Sequence, residues 1–338
     1  MIDLDELDAV ALERSFTGVV TVDVGDRTVL ERSYGLAHRA LQVPNTPTTR
    51  FAIASGSKSL TALAIMRQVV SGMLRLQDPV RRFLGDDLPL IDDDVTIEQL
   101  LTHTSGIGDY LDEDDDWDSA DYVLPVPVHT LETAESFLPI LDGFPRKHPP
   151  GERFTYCNGG YIVLAIVLER LTGRQFQDVV DTDVIRPAGL TSTAYLRSDE
   201  LPGDAALGYL YSAGDRSNVL HLPVRGNGDG GAYTSAADLH RFWRALHAGA
   251  IVPSDVVSEM TRPRSDVPEE GLRYGIGFWL HPADPAIVMD GFDAGVAFRS
   301  THDPASCTTA TVLSNCTVGS GPVIALLQES WPDVSSSA

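Results

Sequence analysis

The sequence predicts an α+β fold with strands at both ends of the chain and helices between them. Two β-rich runs stand near the N-terminus, at residues 16–24 and 28–34, and three near the C-terminus, at 287–290, 295–300 and 308–313. Helical patterns fill the interior at residues 80–83, 97–101, 131–141 and 160–172, after a long apolar helix that follows Ser55. Further helices are predicted at 3–14, at 235–246, where Ser235 opens a capping box, and at 322–331.

Length and composition indicate a globular enzyme-sized chain. With 338 residues and 43% hydrophobic residues, the chain can bury a full core. It contains no apolar run of about 18 residues, so the sequence predicts no transmembrane helix. The N-terminal segment 1–8 is acidic and lacks the basic and apolar layout of a signal peptide, so we expect a cytoplasmic location.

The net charge of −23 argues against nucleic-acid binding, which needs a basic face. Part of this charge lies in the run 112–118, which has five Asp and one Glu; it is interpreted as a solvated loop or as an acidic rim near a substrate entrance. Three cysteines without Cys-x-x-Cys spacing and nine histidines without His-Glu-x-x-His predict neither a disulfide framework nor a metal site. We expect a small-molecule partner and no cofactor, and the oligomeric state stays open.

The distribution of basic residues singles out one position. Only two of the 25 basic residues are lysines, Lys58 and Lys147, and the first lies three residues after Ser55 in a Ser-x-x-Lys pattern. A desolvated lysine can lose its proton and act as a base, whereas arginine stays charged. Ser-x-x-Lys is a signature of serine acyl-transfer enzymes.

The residues after Ser55 strengthen this interpretation. Residues 60–73 are apolar nearly all round, which is typical of a helix buried inside a domain. Ser55 and Lys58 would share one face of its first turn, where lost hydration lowers the pKa of the lysine. The free N–H groups and positive dipole of the helix N-terminus would lie where an oxyanion forms.

A second chemical pattern is Tyr156-x-Asn158, directly before the predicted helix 160–172. A tyrosine beside a lysine can relay protons. The segment 226–231 fits Gly-x-Gly-x-x-Gly, but the residues before it are too short and proline-broken for a Rossmann strand, so we interpret it as a flexible loop. Gly-x-Ser-x-Gly is absent.

Four motifs in order resemble the class C β-lactamase-like, penicillin-binding-protein-like serine hydrolases. They are the Ser-x-x-Lys segment 51–60, Leu-Leu-Thr-His-Thr-Ser-Gly-Ile at 100–107, Pro-Gly-Glu with Tyr-x-Asn at 150–158, and the segment 230–239. The resemblance spans about residues 15–330. It implies an antiparallel sheet flanked by helices, built from residues 1–52 and 205–338, with an inserted helical region at 53–204, the two forming one catalytic unit.

The resemblance also implies roles for individual residues. Ser55 would be the acylated nucleophile, Lys58 its activating partner, and Tyr156 the general base or relay. Asn158 would hold Lys58 and the substrate amide. Which of Lys58 and Tyr156 takes the serine proton stays open.

The third motif of these hydrolases departs from their pattern in this chain. The Lys/His-x-Gly motif falls at residues 289–291, where Met289 stands in place of the cation and Gly291 is kept. The backbone N–H of Phe292 would still form an oxyanion hole with that of Ser55, since this contribution needs no side chain. Asp290 makes the strand acidic, as does Asp293 beyond it.

These residues predict a serine hydrolase that acts through an acyl-enzyme, as an esterase or as an amidase or peptidase on neutral or cationic small substrates. Arg299 or another arginine could instead supply the missing positive charge. The alternatives are a β-lactamase or D,D- or D-amino-acid peptidase, and a non-catalytic penicillin-binding-like scaffold. Residues 109–123 and 212–227 are candidates for loops that shape the substrate site.

Overall fold

The computed structural model describes residues 3–113 and 121–331. Within these residues the strands are β1 (Gly18–Val24), β2 (Arg27–Tyr34), β3 (Leu36–His38), β4 (Val43–Pro44), β5 (Phe51–Ala52), β6 (Tyr233–Thr234), β7 (Ser265–Val267), β8 (Leu272–Tyr274), β9 (Trp279–Leu280), β10 (Ile287–Asp293), β11 (Val296–Asp303) and β12 (Thr308–Ser314). The α-helices are α1 (Leu4–Glu13), α2 (Lys58–Val70), α3 (Arg81–Leu84), α4 (Ile97–Leu101), α5 (Leu138–Leu141), α6 (Asn158–Thr172), α7 (Phe176–Val180), α8 (Ala236–His247), α9 (Ser254–Met260) and α10 (Ser320–Glu329). Short 3₁₀ turns lie at Ala54–Ser57, Val128–Thr130, Glu135–Phe137 and Pro268–Glu270, and a π-helical turn at Asp181–Ile185.

An antiparallel sheet joins the two ends of the chain. Its eight described strands are ordered β2-β1-β12-β11-β10-β9-β8-β7, so the N-terminal hairpin pairs with the last strand. β12 is buried along its whole length, and its β-branched residues suit this central position. The α+β class, with a large antiparallel sheet and flanking helices, is confirmed.

Two hydrophobic cores lie on the two faces of the sheet. On one face Val19, Met289 and Phe298 pack in the large core that includes α2 and α6. On the other face Val20 and Val312 pack with residues of α1 and α10 in a smaller core. Helices α2 and α6 pack against each other. The first residue of α2, Lys58, hydrogen-bonds the first residue of α6, Asn158, so the N-terminal ends of the two helices meet.

Most predicted elements are found with shifted ends, one prediction needs correction, and several short strands were not predicted. The predicted helix 131–141 is only a 3₁₀ turn followed by the four-residue α5, because Pro139 lacks an N–H and is tolerated only in a first turn. The strands β3 to β9 escaped prediction because each has only two or three residues, too few to show an alternating pattern.

The described residues contain no helix that is long and apolar enough to cross a membrane. The division of the chain at residues 52/53 and 204/205 stays a prediction.

Candidate active site

The nucleophile candidate Ser55 lies in the 3₁₀ turn that leads directly into α2. The preceding residue, Ala54, has a φ of 43°, a left-handed conformation that a non-glycine residue adopts at a cost of about 1–3 kcal/mol. Strained backbone of this kind is concentrated at functional sites. The turn is followed by the buried first turn of α2, which includes Lys58.

The turn packs against the sheet through two glycines. A Cβ added at Gly291 on β10 would lie 2.8 Å from the backbone nitrogen of Ser55 and 2.3 Å from the carbonyl oxygen of Ile53. A Cβ at Gly56 would lie 2.3 Å from the ring of Phe298. The close approach of β10 to Ser55 therefore depends on the absence of side chains at these two positions.

Lys58 connects three parts of the site. Its Nζ is 2.9 Å from Ser55 Oγ, 2.8 Å from Asn158 Oδ1 and 2.8 Å from the backbone oxygen of Asp229. Asn158 and the Asp229 carbonyl can only accept at these atoms, whereas a serine hydroxyl can also donate. The ammonium form can donate to all three oxygens. The neutral amine can donate to the two oxygens that only accept and take the serine proton on its lone pair.

Two opposing effects set the protonation of this amine. Burial lowers the pKa of Lys58, because the charged form loses its hydration. The nearby carboxylates of Asp229, Glu113 and Asp109 act in the opposite direction. The net pKa of Lys58 is below its ordinary value, which favours a base.

Tyr156 is held by aromatic rings beside the nucleophile. Its ring stacks on His103, with centroids 4.3 Å apart, and on Trp279 at 6.0 Å. Lys58 Nζ lies 4.9 Å from the centroid of the phenol ring. Burial raises the pKa of Tyr156 well above its ordinary value, so the phenol keeps its proton.

Asn158 is the first residue of α6, and both ends of its amide are used. While Oδ1 accepts from Lys58, Nδ2 donates to the backbone oxygen of Leu111 at 3.0 Å and to Glu113 Oε1 at 2.9 Å. The orientation of the amide is thereby fixed, with its oxygen toward the lysine.

The third motif, residues 289–291, lies on β10 as the sequence predicts, but its side chains serve packing and pairing within the fold. Met289 is 2% exposed and belongs to the large core. Arg299 Nε donates to Asp290 Oδ1 at 2.7 Å across the β10–β11 pair, and Arg299 lines a crevice with Leu327 and Trp331 on the α10 side of the sheet. Arg299 is thus engaged away from Ser55, which weighs against the proposal that it replaces the missing cation.

A cavity of about 640 Å³ opens beside Ser55. Three carboxylates line it, those of Glu113, Asp229 and Asp293, and no Arg or Lys does so among the residues described. Burial raises the pKa of Asp293 to about 7 and also raises that of Asp229, whose carboxylate accepts from Tyr110 at 2.7 Å. The cavity wall thus carries carboxyl groups and no described cation, and the Asp293 carboxyl gains its charge as pH rises through about 7.

The structure brings Ser55, Lys58, Tyr156, Asn158 and Gly291 together, with Phe292 on the cavity wall. The contact of Asp229, in the loop 226–231, with Lys58 was not predicted. Asp109 and Glu113 lie in the segment 109–123 that was predicted to shape the substrate site, but their hydrogen bonds to Asn158 were not predicted. The interpretation of 226–231 as a loop is right, but the loop packs closely, since a Cβ at Gly228 would lie 2.0 Å from the Tyr161 carbonyl oxygen.

The structure describes only residues 112 and 113 of the acidic run 112–118. Residues 114–118 lie outside the described part of the chain, so neither interpretation of the whole run is tested. Glu113 itself lines the cavity. Of the residues predicted to shape the substrate site, Tyr122 and His221 also line it.

A nucleophile turn that joins a buried lysine to an antiparallel sheet defines the class of Ser-x-x-Lys acyl-transfer enzymes. The profile of the Beta-lactamase family matches residues 4–328, nearly the whole chain. The chain therefore belongs to the Beta-lactamase family, and it is a serine hydrolase of this class.

Relatives and solved structures agree with this assignment. The crystal structure of a penicillin binding protein from Bacillus halodurans superposes with a TM-score of 0.88 at 35% identity, covering 96% of this chain and 99% of that one. An octameric penicillin-binding protein homologue from Pyrococcus abyssi gives a TM-score of 0.82 at 26% identity, over 98% and 77%. Esterase EstB of Burkholderia gladioli is 29% identical over 317 residues, covering 81% of this chain and 78% of the esterase.

Proposed function

We propose that this enzyme hydrolyses small neutral or cationic esters or amides through an acyl-enzyme on Ser55. The observation that carries the proposal is the placement of Lys58 Nζ, 2.9 Å from Ser55 Oγ and held by two oxygens that can only accept. Such a buried amine is a base in contact with its nucleophile. The sheet and the helical region would act as one catalytic unit, since Gly291 comes from the first and Asn158 from the second.

The proposed reaction has an acylation step and a deacylation step, and the same groups transfer protons in both. Ser55 Oγ attacks the substrate carbonyl carbon while its proton passes to Lys58 Nζ, and the backbone N–H groups of Ser55 and Phe292 stabilise the oxyanion. Tyr156 then donates its proton to the leaving group and recovers one from Lys58. Water releases the acyl group by the same path in reverse.

We assign the base to Lys58 rather than to Tyr156. Burial lowers the pKa of the lysine but raises that of the phenol, so at neutral pH the amine is the better proton acceptor. The raised pKa suits Tyr156 to a role as donor and relay.

The substrate preference follows from the charges of the cavity. Glu113, Asp229 and Asp293 line it, and Met289 replaces the cation that would bind a substrate carboxylate. A carboxylate in this cavity would face like charges, whereas an ammonium group would be attracted. The similarity to Esterase EstB supports activity on esters.

A matched series of esters tests this preference. Three substrates would share the acyl carbonyl and leaving group and carry a trimethylammonium, a tert-butyl or a carboxylate at the same distant position. We expect kcat/KM to be highest for the cationic ester, intermediate for the neutral one, and at least about tenfold lower for the carboxylate, a difference of about 1.4 kcal/mol. Equal or faster turnover of the carboxylate ester would refute the preference.

The second candidate is a β-lactamase or D-amino-acid peptidase, which the similarity to penicillin-binding proteins favours. A fluorescent penicillin distinguishes the two. Rapid labelling of Ser55 at low concentration, with a rate that matches that of the neutral ester, would support the second candidate. A cytoplasmic location stays a prediction from the sequence.

A further inference from the structure

One loop, residues 103–109, forms hydrogen bonds with the backbone of the segment that carries Tyr156 and Asn158. The backbone N–H of Thr155 donates to the His103 carbonyl at 2.8 Å, and that of Cys157 donates to His103 Nδ1 at 3.1 Å. The next two N–H groups donate to Asp109, that of Asn158 to Oδ2 at 2.5 Å and that of Gly159 to Oδ1 at 2.8 Å. The loop thus accepts hydrogen bonds from four backbone N–H groups of residues 155–159.

Asp109 is suited to this contact by its place in the fold. It is 5% exposed, and burial raises the pKa of its carboxyl to about 6, so the group is charged at neutral pH. The carboxylate stands at the first turn of α6, where free N–H groups and the helix dipole oppose that rise. Each oxygen of the carboxylate accepts a different N–H. A carboxylate offers two such acceptors, whereas the amide of an asparagine offers one.

The position of Asn158 matters because its amide oxygen holds Lys58. We propose that Asp109 is a positioning residue, which fixes the backbone of Asn158 and through it the placement of Lys58 against Ser55. This inference rests on the proposed function, in which Lys58 is the base. Asp109 touches neither the substrate nor the reacting atoms in this proposal; it acts through Asn158.

Asp109→Asn tests the proposal. The amide keeps the shape but turns an NH₂ group toward one of the two N–H donors, so Asn158 must shift. We expect kcat for the neutral ester to fall about 10²-fold, the usual effect of a misplacement of about 1 Å, with little change in KM. The acid limb of the pH profile should also move to lower pH, because loss of the negative charge lowers the pKa of Lys58 while Asp229, Glu113 and Asp293 remain.

Asp78→Asn is the matched control. Asp78 is also a buried carboxylate, 2% exposed, that accepts a backbone N–H, from Arg75 at 2.9 Å, and it does not line the cavity. Its replacement should lower thermal stability but leave kcat and the pH profile of the folded protein unchanged. If Asp109→Asn behaves like this control, the positioning role is wrong.

Gly159→Ala is a second test of the positioning role, for the case in which Asp109→Asn does not fold. A Cβ there would lie 3.0 Å from Asp109 Oδ1 and would push the carboxylate by a few tenths of an ångström without removing charge or donors. We expect a smaller drop in kcat with an unmoved acid limb; unchanged kcat would overturn the proposal. Reaction of wild type with a fluorophosphonate at Ser55 separates these outcomes from a failure of the proposed function itself.

Discussion

The two elements that meet at Ser55 contribute in different ways. On the helical side, Lys58 and Asn158 act through side chains whose polar atoms are hydrogen-bonded to one another. On the sheet side, β10 contributes through backbone and through the missing side chain of Gly291, while Met289 is buried in the core. The chemistry thus depends on functional side chains on the helical side and on a glycine at 291 on the sheet side. The other residues of β10 can change, and with them the substrate preference.

The largest effect should come from the helical side. Lys58→Arg keeps a cation but removes the base, since a guanidinium does not lose its proton. We expect single-turnover acylation to slow by about 10⁴–10⁶-fold, the range for loss of a member of a catalytic unit. Lys147→Arg is the control, because Lys147 forms an ion pair with Asp112 at 2.6 Å and retains its charge in the variant. Similar losses in both variants would contradict the assigned role.

The sheet side should be sensitive to a single methyl group. In Gly291→Ala the added Cβ would meet Ile53 O and Ser55 N at distances that no backbone tolerates, so β10 must retreat from the nucleophile. We expect kcat to fall about 10²–10³-fold, as for loss of an oxyanion donor, and stability to fall by about 1–3 kcal/mol. Gel filtration and thermal melts establish that the variant is folded. Wild-type kcat would disprove the close approach.

The acidic wall should set selectivity rather than rate. Asp293→Asn should lower the preference for the cationic ester over the neutral ester about tenfold, with kcat for the neutral ester nearly unchanged. Asp284→Asn, which removes the same charge outside the cavity, is the control. An unchanged ratio would mean that the substrate cation lies elsewhere.

The pH dependence of this preference has a definite sign. Because burial raises the pKa of Asp293 to about 7, the carboxyl is neutral below that pH in the folded protein, and the cationic preference should rise as pH rises through about 7. The unfolded chain ionises near 3.8, so the cost to stability grows as pH rises from 3.8 to about 7 and remains in full above about 7. Asp293→Asn should remove both effects, measured by kinetics and by denaturant titration.

The smallest effect should come from Met289. Met289→Leu conserves buried volume, so we expect less than about 1.5 kcal/mol of lost stability and turnover close to that of wild type. A large loss of ester turnover in the folded variant would show that the side chain at 289 does more than pack.

The sequence predicted those parts of the site whose residue types are dictated by chemistry. Ser55, Lys58, Tyr156 and Asn158 could be found because a nucleophile, a base and their partners stand at fixed spacings on helix starts. The large strands could be found because β10 to β12 are long enough to alternate or to form β-branched runs.

The contacts that the sequence did not reveal come from backbone or from distant loops. Asp229 holds Lys58 through its carbonyl, which every residue type possesses, so no pattern marks it. Asp109 meets Asn158 across 49 positions of the chain, and only the fold brings them together. The acidity of the cavity likewise arises from three separate segments.

The most direct test of the central claim is the intact mass of wild type and of Ser55→Ala after incubation with a fluorophosphonate. The proposed mechanism predicts one adduct on wild type, located on Ser55, and none on the variant. An adduct retained by a folded Ser55→Ala, or no adduct on folded wild type, would contradict the claim that Lys58 activates Ser55 as the nucleophile.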